Sequence, residues 1–198
     1  MSNPDDKQEL KPYGWERLET SYPYTYHMFR VREDLVRWPD GHIAPYCYIQ
    51  ARGAVWVVAV TTEQELVLIR QLRYTSADWY WELVAGGYHD FEGDPLDLAR
   101  RELAEEVGGR SDDWEYVGWF RPGTSMLDEV CHIALARDVH LDLEPEPEAG
   151  ELIEVHLVPL ARGLEMARSG EMVDGHSALS LLRCEHLLRG ESSKGERE

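Results

Sequence analysis

The stretch from Asp94-Pro95 to Gly108-Gly109 constrains this chain most, because both ends of a helix are written into it. Asp94 is a capping residue type, Pro95 suits the first helical position, and the paired glycines supply a left-handed stop. Together they predict a helix of about thirteen residues. On a helical wheel Leu96, Ala99, Leu103 and Val107 fall on one stripe, which is expected to face a core. Glu102 and Glu106 lie beside that stripe, one turn apart, and Glu105 sits farther around the same side. Like charges at this spacing repel by about a few tenths of a kcal/mol. The helix dipole disfavours an acid in the last turn by about 0.3–1 kcal/mol more. Local rules would place Lys or Arg there, so the acids mark a candidate site. A hard cation such as Mg2+ resolves the conflict, since it prefers carboxylate oxygen and commonly also holds substrate phosphates. The alternative is a solvated acidic face paired with Arg100, Arg101 or Arg110.

On either side of this helix the pattern is mostly strand. Tyr24 to Val31 and His42 to Ile49 read as strands around the turn signal Pro39-Asp40-Gly41, giving a small antiparallel sheet. Ala54 to Val60, Leu66 to Arg73 and Trp79 to Ala85 read as three more, the last ending at Gly86-Gly87. Trp114 to Phe120, Val130 to Arg137 and Ile153 to Val158 continue the strands, and Leu160 to Arg168 and His176 to Leu188 read as helices. The expected fold class is α/β, of α+β character, with sheet packed between helices. Four regions are expected: a disordered tail over 1–12, an N-terminal sheet over 13–50, the main domain over 51–188, and a disordered tail over 189–198.

A formal charge of −18 repels a phosphate backbone, which argues against nucleic acid as a partner. No run approaches the roughly 18 apolar residues of a membrane helix, and the first residues carry no secretory pattern, so a cytoplasmic location is expected. Cys47, Cys131 and Cys184 are odd in number and widely spaced and read as structural, and none of the eight histidines falls in a ligand spacing, so they read as structural or surface. Nucleophile elbow, phosphate loop and dinucleotide glycine fingerprint are all missing, which removes the usual markers of covalent catalysis and ATP-driven transfer.

The run from Gly87 to Gly109 resembles the Nudix box, Gly-x5-Glu-x7-Arg-Glu-U-x-Glu-Glu-x-Gly-U, where U is aliphatic. The second half, Arg101-Glu102-Leu103-Ala104-Glu105-Glu106-Val107-Gly108, matches residue for residue. The position of the earlier glutamate holds Gly93, with Glu92 just before it as the substitute, and the closing aliphatic position holds Gly109. Across about 24–188 the chain is similar to the ADP-ribose pyrophosphatase branch. The features shared are Gln71-Leu72-Arg73-Tyr74, Glu82-Leu83-Val84-Ala85-Gly86-Gly87, Pro122-Gly123 with Asp128-Glu129, and Gly150-Glu151-Leu152-Ile153. Val84 stands where that branch usually has proline, and Pro122 follows the box by slightly fewer residues than its marker proline.

The resemblance implies a Nudix-type α/β/α sandwich with a small N-terminal antiparallel sheet. It implies Glu102 and Glu106 as the main ligands of Mg2+, or of Mn2+, with Glu105 supporting and the Gly86 carbonyl completing the position. It further implies that Glu151, with Glu148 as competitor, is a distal metal ligand or the base that orients water, and that Pro122, Asp128 and Glu129 lie on the substrate side. The branch commonly forms homodimers through the N-terminal region.

Three readings stand on the residues alone. The acidic, proline-containing loop Glu144 to Glu151 reads either as a stiffened arm that could close its acids over a metal-bound phosphate or as a solvated spacer. Arg73 suits forked contact with a phosphate, or a surface ion pair. Trp15, Trp38, Tyr46 and Tyr48 offer an adenine a stacking face, or pack in a core or dimer. The leading expectation is a Mg2+-dependent hydrolase acting on ADP-ribose, giving AMP and ribose 5-phosphate. A nucleotide-sugar pyrophosphatase, a non-hydrolysing nucleotide-binding module and an acidic scaffold remain the alternatives.

Overall fold

The structure, a computed structural model, describes residues 11–88, 93–147 and 150–189. Three strands, β1 (Glu16–Thr25), β2 (Phe29–Arg37) and β3 (Ile43–Ala51), form an antiparallel sheet in the order β1-β2-β3. The main sheet contains β4 (Ala54–Thr61), β5 (Glu65–Arg73), β6 (Asp78–Glu82), β7 (Val84–Gly87), β8 (Gly109–Arg110), β9 (Asp113–Phe120), β10 (Cys131–Leu141) and β11 (Ile153–Pro159). Its central path runs β11-β5-β4-β10-β8, with β6 on β5, β7 on β4 and β9 on β10. Only the β4–β10 pairing among these is parallel, so the sheet is mixed.

Three helices, α1 (Pro95–Val107), α2 (Leu160–Ser169) and α3 (Gly175–Leu188), cover the two faces. Alternation along β4 and β10 decides which side each serves. Val55, Val57, Ala59, Ala134 and Ala136 pack with Leu98, Ala99, Leu103 and Val107 of α1. Val58, Val60, Ile133 and Leu135 pack with Leu164 of α2 and Leu181 and Cys184 of α3. The α/β/α sandwich with its small antiparallel sheet is therefore observed.

Two strand readings are corrected. Tyr24 to Val31 is not one strand: it contains the end of β1, the link at 26–28 and the start of β2, and β2 continues to Arg37. The link carries Tyr, His and Met rather than Gly, Pro or Asn, so it had no turn signature, although the Tyr26 amide donates to the Phe29 carbonyl. Trp79 to Ala85 is likewise two strands, divided at Leu83. There the Leu83 amide leaves the ladder to donate to the Ser177 hydroxyl, 2.9 Å away, so a distant helix rather than a local turn breaks the strand. Residues 1–10 and 190–198, most of the expected tails, lie outside the described residues, while Lys11–Tyr13 form a 3-10 turn.

Candidate active site

Helix α1 begins and ends where its caps place it. The Asp94 carboxylate accepts from the Leu96 amide at 2.7 Å, Pro95 follows, and Gly108 closes the helix at φ 64°, in the left-handed region. The last turn contains no basic residue. Its free carbonyls are met instead by the acidic loop: the Glu146 amide donates to Glu105 at 2.7 Å, and the Leu143 amide to Gly108 at 3.0 Å. The loop read as a closing arm or a spacer is thus tied to the helix end through residues 143 and 146. The two departures from the box have steric explanations. A Cβ at Gly109 would stand 2.8 Å from Leu103 Cγ, and one at Gly93 would stand 3.0 Å from Tyr88 Cε1. Leu103 and Leu141 occupy the space an aliphatic residue at 109 would need.

The acids differ sharply in exposure. Glu106 is 4% exposed, the Glu102 side chain 14% and the Glu105 side chain 49%. Glu106 therefore sits deeper than a core boundary, beneath the edge of the sheet, where the Ala85 backbone reaches its carboxylate. Its Oε2 atom is buried with no hydrogen-bond partner among the described residues. Burial, then the nearby carboxylates of Glu151 and Glu102, push the Glu106 pKa up to about 9, against the weaker opposing pull of Ala85 and Arg73. Glu102 is raised by burial too, with Arg101 opposing and Glu105 and Glu151 adding to the rise. Arg101 stands 3.0 Å from Glu102 and 3.8 Å from Glu105, so the surface-pairing alternative is realised for those two and leaves Glu106 out.

Gly86 sits directly against this cluster. A Cβ there would stand 2.0 Å from Glu102 Cδ, so no other residue fits without moving that carboxylate. Glu151 is half-buried in the loop two residues before β11, and the neighbouring Leu152 carbonyl accepts from the Leu72 amide at 3.1 Å. The structure thus brings Gly86, Glu102, Glu106 and Glu151 together, with Glu105 at the rim. Glu148 and Glu92 lie outside the described residues.

Arg73 faces the cluster from β5, held by a forked pair of hydrogen bonds to Glu82 at 2.9 and 2.5 Å. Glu82, whose side chain is 7% exposed, was named from sequence only as part of a shared run and given no role. Its signal was an acid ending the otherwise aromatic run Trp79-Tyr80-Trp81. Asp128 is engaged in the backbone: its carboxylate accepts from the Ala51 amide at 3.0 Å and its carbonyl from Arg121 at 2.7 Å. Pro122 is exposed and Glu129 half-buried. Trp38 and Tyr46 are not among the carboxylates; both are exposed on the N-terminal sheet side, clustered with Trp15 at ring distances of 5.4 and 6.4 Å. The Tyr46 hydroxyl reaches the Ser125 carbonyl at 3.4 Å, which connects that sheet to the loop containing Pro122.

The chain is similar to known proteins over most of its length. A model of the NUDIX domain matches residues 50–174. The chain is 33% identical over 147 residues to a CMP-5'-(N-acetyl-N-hydroxy-3-aminopropyl)phosphonate hydrolase of Streptomyces rubellomurinus, covering 74% of this chain and 70% of that protein. It is 28% identical over 183 residues to an ADP-ribose pyrophosphatase of Mycobacterium tuberculosis, covering 91% and 88%. A solved structure described as an ADP compounds hydrolase shares the fold at TM-score 0.76 and 18% identity, covering 90% of this chain and 96% of that one.

Proposed function

Because this chain belongs to the Nudix hydrolase family, we propose that it is a Mg2+-dependent pyrophosphatase of a nucleoside diphosphate-linked compound, with ADP-ribose cleaved to AMP and ribose 5-phosphate as the leading case. The observation that carries this reading is the convergence of Glu102, Glu106 and Glu151 beside the Ala85-Gly86 backbone. The ADP-ribose pyrophosphatase relative supports the choice of substrate. A nucleotide-sugar substrate is the second reading, favoured by a GDP-mannose pyrophosphatase of Salmonella arizonae that is 31% identical over 155 residues.

The residues suit a hard divalent cation. Their donors are oxygens, the Glu106 Oε2 atom is buried without a partner among the described residues, and the space beside Glu102 is kept clear at Gly86. Glu102, Glu106 and the Gly86 carbonyl would hold the ion, and Glu105 would support them from the rim. When bound, such an ion neutralises phosphate charge and makes water acidic enough to attack near neutral pH. Glu151, placed by the start of β11, orients the attacking water and takes its proton. The water oxygen bonds to one phosphorus as the bridging P–O bond breaks, and that bond's electron pair leaves on the second phosphate. Arg73, held by Glu82, places positive charge beside the departing phosphate.

On the substrate side, Pro122, Asp128 and Glu129 border the pyrophosphate and ribose, and Trp38 or Tyr46 offers the base a stacking face. Exposed Tyr22, Tyr24, Tyr26 and Met28 at one end of the N-terminal sheet, and Trp38 at the other, support a homodimer through that sheet. A strictly monomeric, fully active protein in sedimentation experiments would remove that part. Among the described residues no helix is long and apolar enough to cross a membrane. The main test is a panel of nucleoside diphosphate compounds with Mg2+ or Mn2+, reading products as well as rates. AMP and ribose 5-phosphate from ADP-ribose as the fastest reaction is expected. Faster release of a sugar phosphate from a nucleotide sugar moves the substrate to the second reading, and binding without turnover ends the hydrolase reading.

A further inference from the structure

The face of the main sheet opposite α1 holds a cluster whose cysteine and histidine the hydrolysis does not use. Cys131 opens β10, two residues before Ile133 and four before Leu135, both of which pack towards α2 and α3. Its thiol therefore points to the α3 side. It is fully buried and makes no hydrogen bond among the described residues. Glu129, two residues earlier, is half-buried, and His176 comes from the first turn of α3. One ligand atom from each of the three lies within 4.8 Å of the others.

We propose that Glu129, Cys131 and His176 form a second cation site, separate from the α1 carboxylates, that takes one borderline-soft divalent ion of the Zn2+ class. The ligand set argues for that class. Thiolate, imidazole and carboxylate together suit Zn2+ or Co2+, whereas Mg2+ selects oxygen alone. Tetrahedral ligands at Zn2+ bond lengths stand about 3.5 Å apart, so closure needs the side chains to move by about an ångström. Three protein ligands leave a fourth position for water.

A second observation comes from the other side of the histidine. His176 Nδ1 lies 3.6 Å from Asp174 Oδ1, and the other Asp174 oxygen is fixed by the Ser177 amide at 2.8 Å. The ring is stacked on Trp56, with centroids 4.6 Å apart and planes at 14°. A ligating histidine commonly has its second nitrogen directed to a carboxylate in this way, which orients the ring and leaves Nε2 for the ion. Binding releases the Cys131 thiol proton to solvent as the ion takes its place, and ties the loop before β10 to the start of α3. In the ion-loaded protein Glu129 is a ligand of this site rather than a contact for substrate.

The test uses the full chain, stripped by chelator and then titrated with Co2+ in excess Mg2+, which fills oxygen-only sites. A thiolate-to-Co2+ charge-transfer band in the near ultraviolet should saturate at about one equivalent and bleach when Zn2+ is added. Cys131→Ser should abolish the band, and Cys47→Ser, at an exposed position, should keep it. Asp174→Asn should weaken Co2+ binding by about tenfold or more, as expected of a carboxylate behind a ligand. No band in the unaltered protein, or a band that survives Cys131→Ser, overturns the proposal. Should Cys131→Ser fail to fold, His176→Gln decides: a lost or tenfold weaker band supports the site, and an unchanged one overturns it.

Discussion

Asp34 on the N-terminal sheet and Glu106 on α1 are buried to nearly the same degree, 7% and 4% exposed, in surroundings of opposite kind. Asp34 Oδ1 accepts from Arg32 Nε at 2.9 Å and from the Thr20 hydroxyl at 2.5 Å, and Arg32 is itself buried. Glu106 has one oxygen without a partner among the described residues and two carboxylates nearby, with burial the largest contribution to its raised pKa. A buried charge with an opposite partner is a structural arrangement, whereas one surrounded by like charge persists only where something absent from the polypeptide completes it. Burial alone thus says little about function; the sign of the neighbours says more.

The largest effect should come from the satisfied acid. Asp34→Ala leaves Arg32 buried without its partner and should cost about 3–5 kcal/mol in urea unfolding. Turnover per folded molecule should stay unchanged. If this variant instead kept its stability and lost turnover, Asp34 would belong with Glu106 and the contrast would fail.

Glu106→Gln should do the reverse. Turnover should fall at least about a hundredfold, equivalent to about 2.7 kcal/mol in the barrier. Metal-free stability should hold or rise near neutral pH, because glutamine is buried neutral without the proton that the Glu106 carboxyl, raised to about 9, takes up on folding. Steady-state kinetics beside thermal unfolding reads both, and retained turnover sinks the α1 assignment. Glu151→Gln should lower turnover by about a hundredfold while the Michaelis constant moves little, since a group that orients or deprotonates water acts mainly in the transition state. Glu148→Gln should matter less, because Glu151 is held by the start of β11. A larger loss in Glu148→Gln would transfer the base to the loop.

The sequence made α1 legible because its information is local: Asp94, Pro95 and Gly108 act within a turn of the backbone they cap, and the apolar stripe repeats along one helix. The conflict among Glu102, Glu105 and Glu106 was legible for the same reason. Only the full depth of Glu106 was hidden, since Ala85 on β7 and Glu151 in the loop before β11 are remote from α1 in the chain. What stayed illegible depends on contacts between remote segments. The break at Leu83 needs Ser177, the fixing of Arg73 needs Glu82 across the β5–β6 pairing, and the grouping of Glu129 and Cys131 with His176 needs α3 to pack over β10. No spacing rule reaches across those separations.

The smallest effect is also the most direct probe of the contrast. If Glu106 is a ligand, Mg2+ binds the folded chain and not the unfolded one, so added Mg2+ should stabilise the protein. At a concentration ten times the dissociation constant the gain is about 1.4 kcal/mol, enough to move a thermal midpoint by a few degrees in a chain of this size. Glu106→Gln should lose most of that gain at the same Mg2+ concentration, because the missing charge weakens the site. The Asp34→Ala variant, destabilised in the N-terminal sheet, should retain the full increment, since its α1 carboxylates are intact. Thermal unfolding of all three proteins across a Mg2+ series, with ionic strength held constant by a monovalent salt, separates site binding from general screening of the −18 charge. Equal increments in all three would mean that Mg2+ acts on net charge alone, and Glu106 would then be an acid tolerated in the core rather than a ligand.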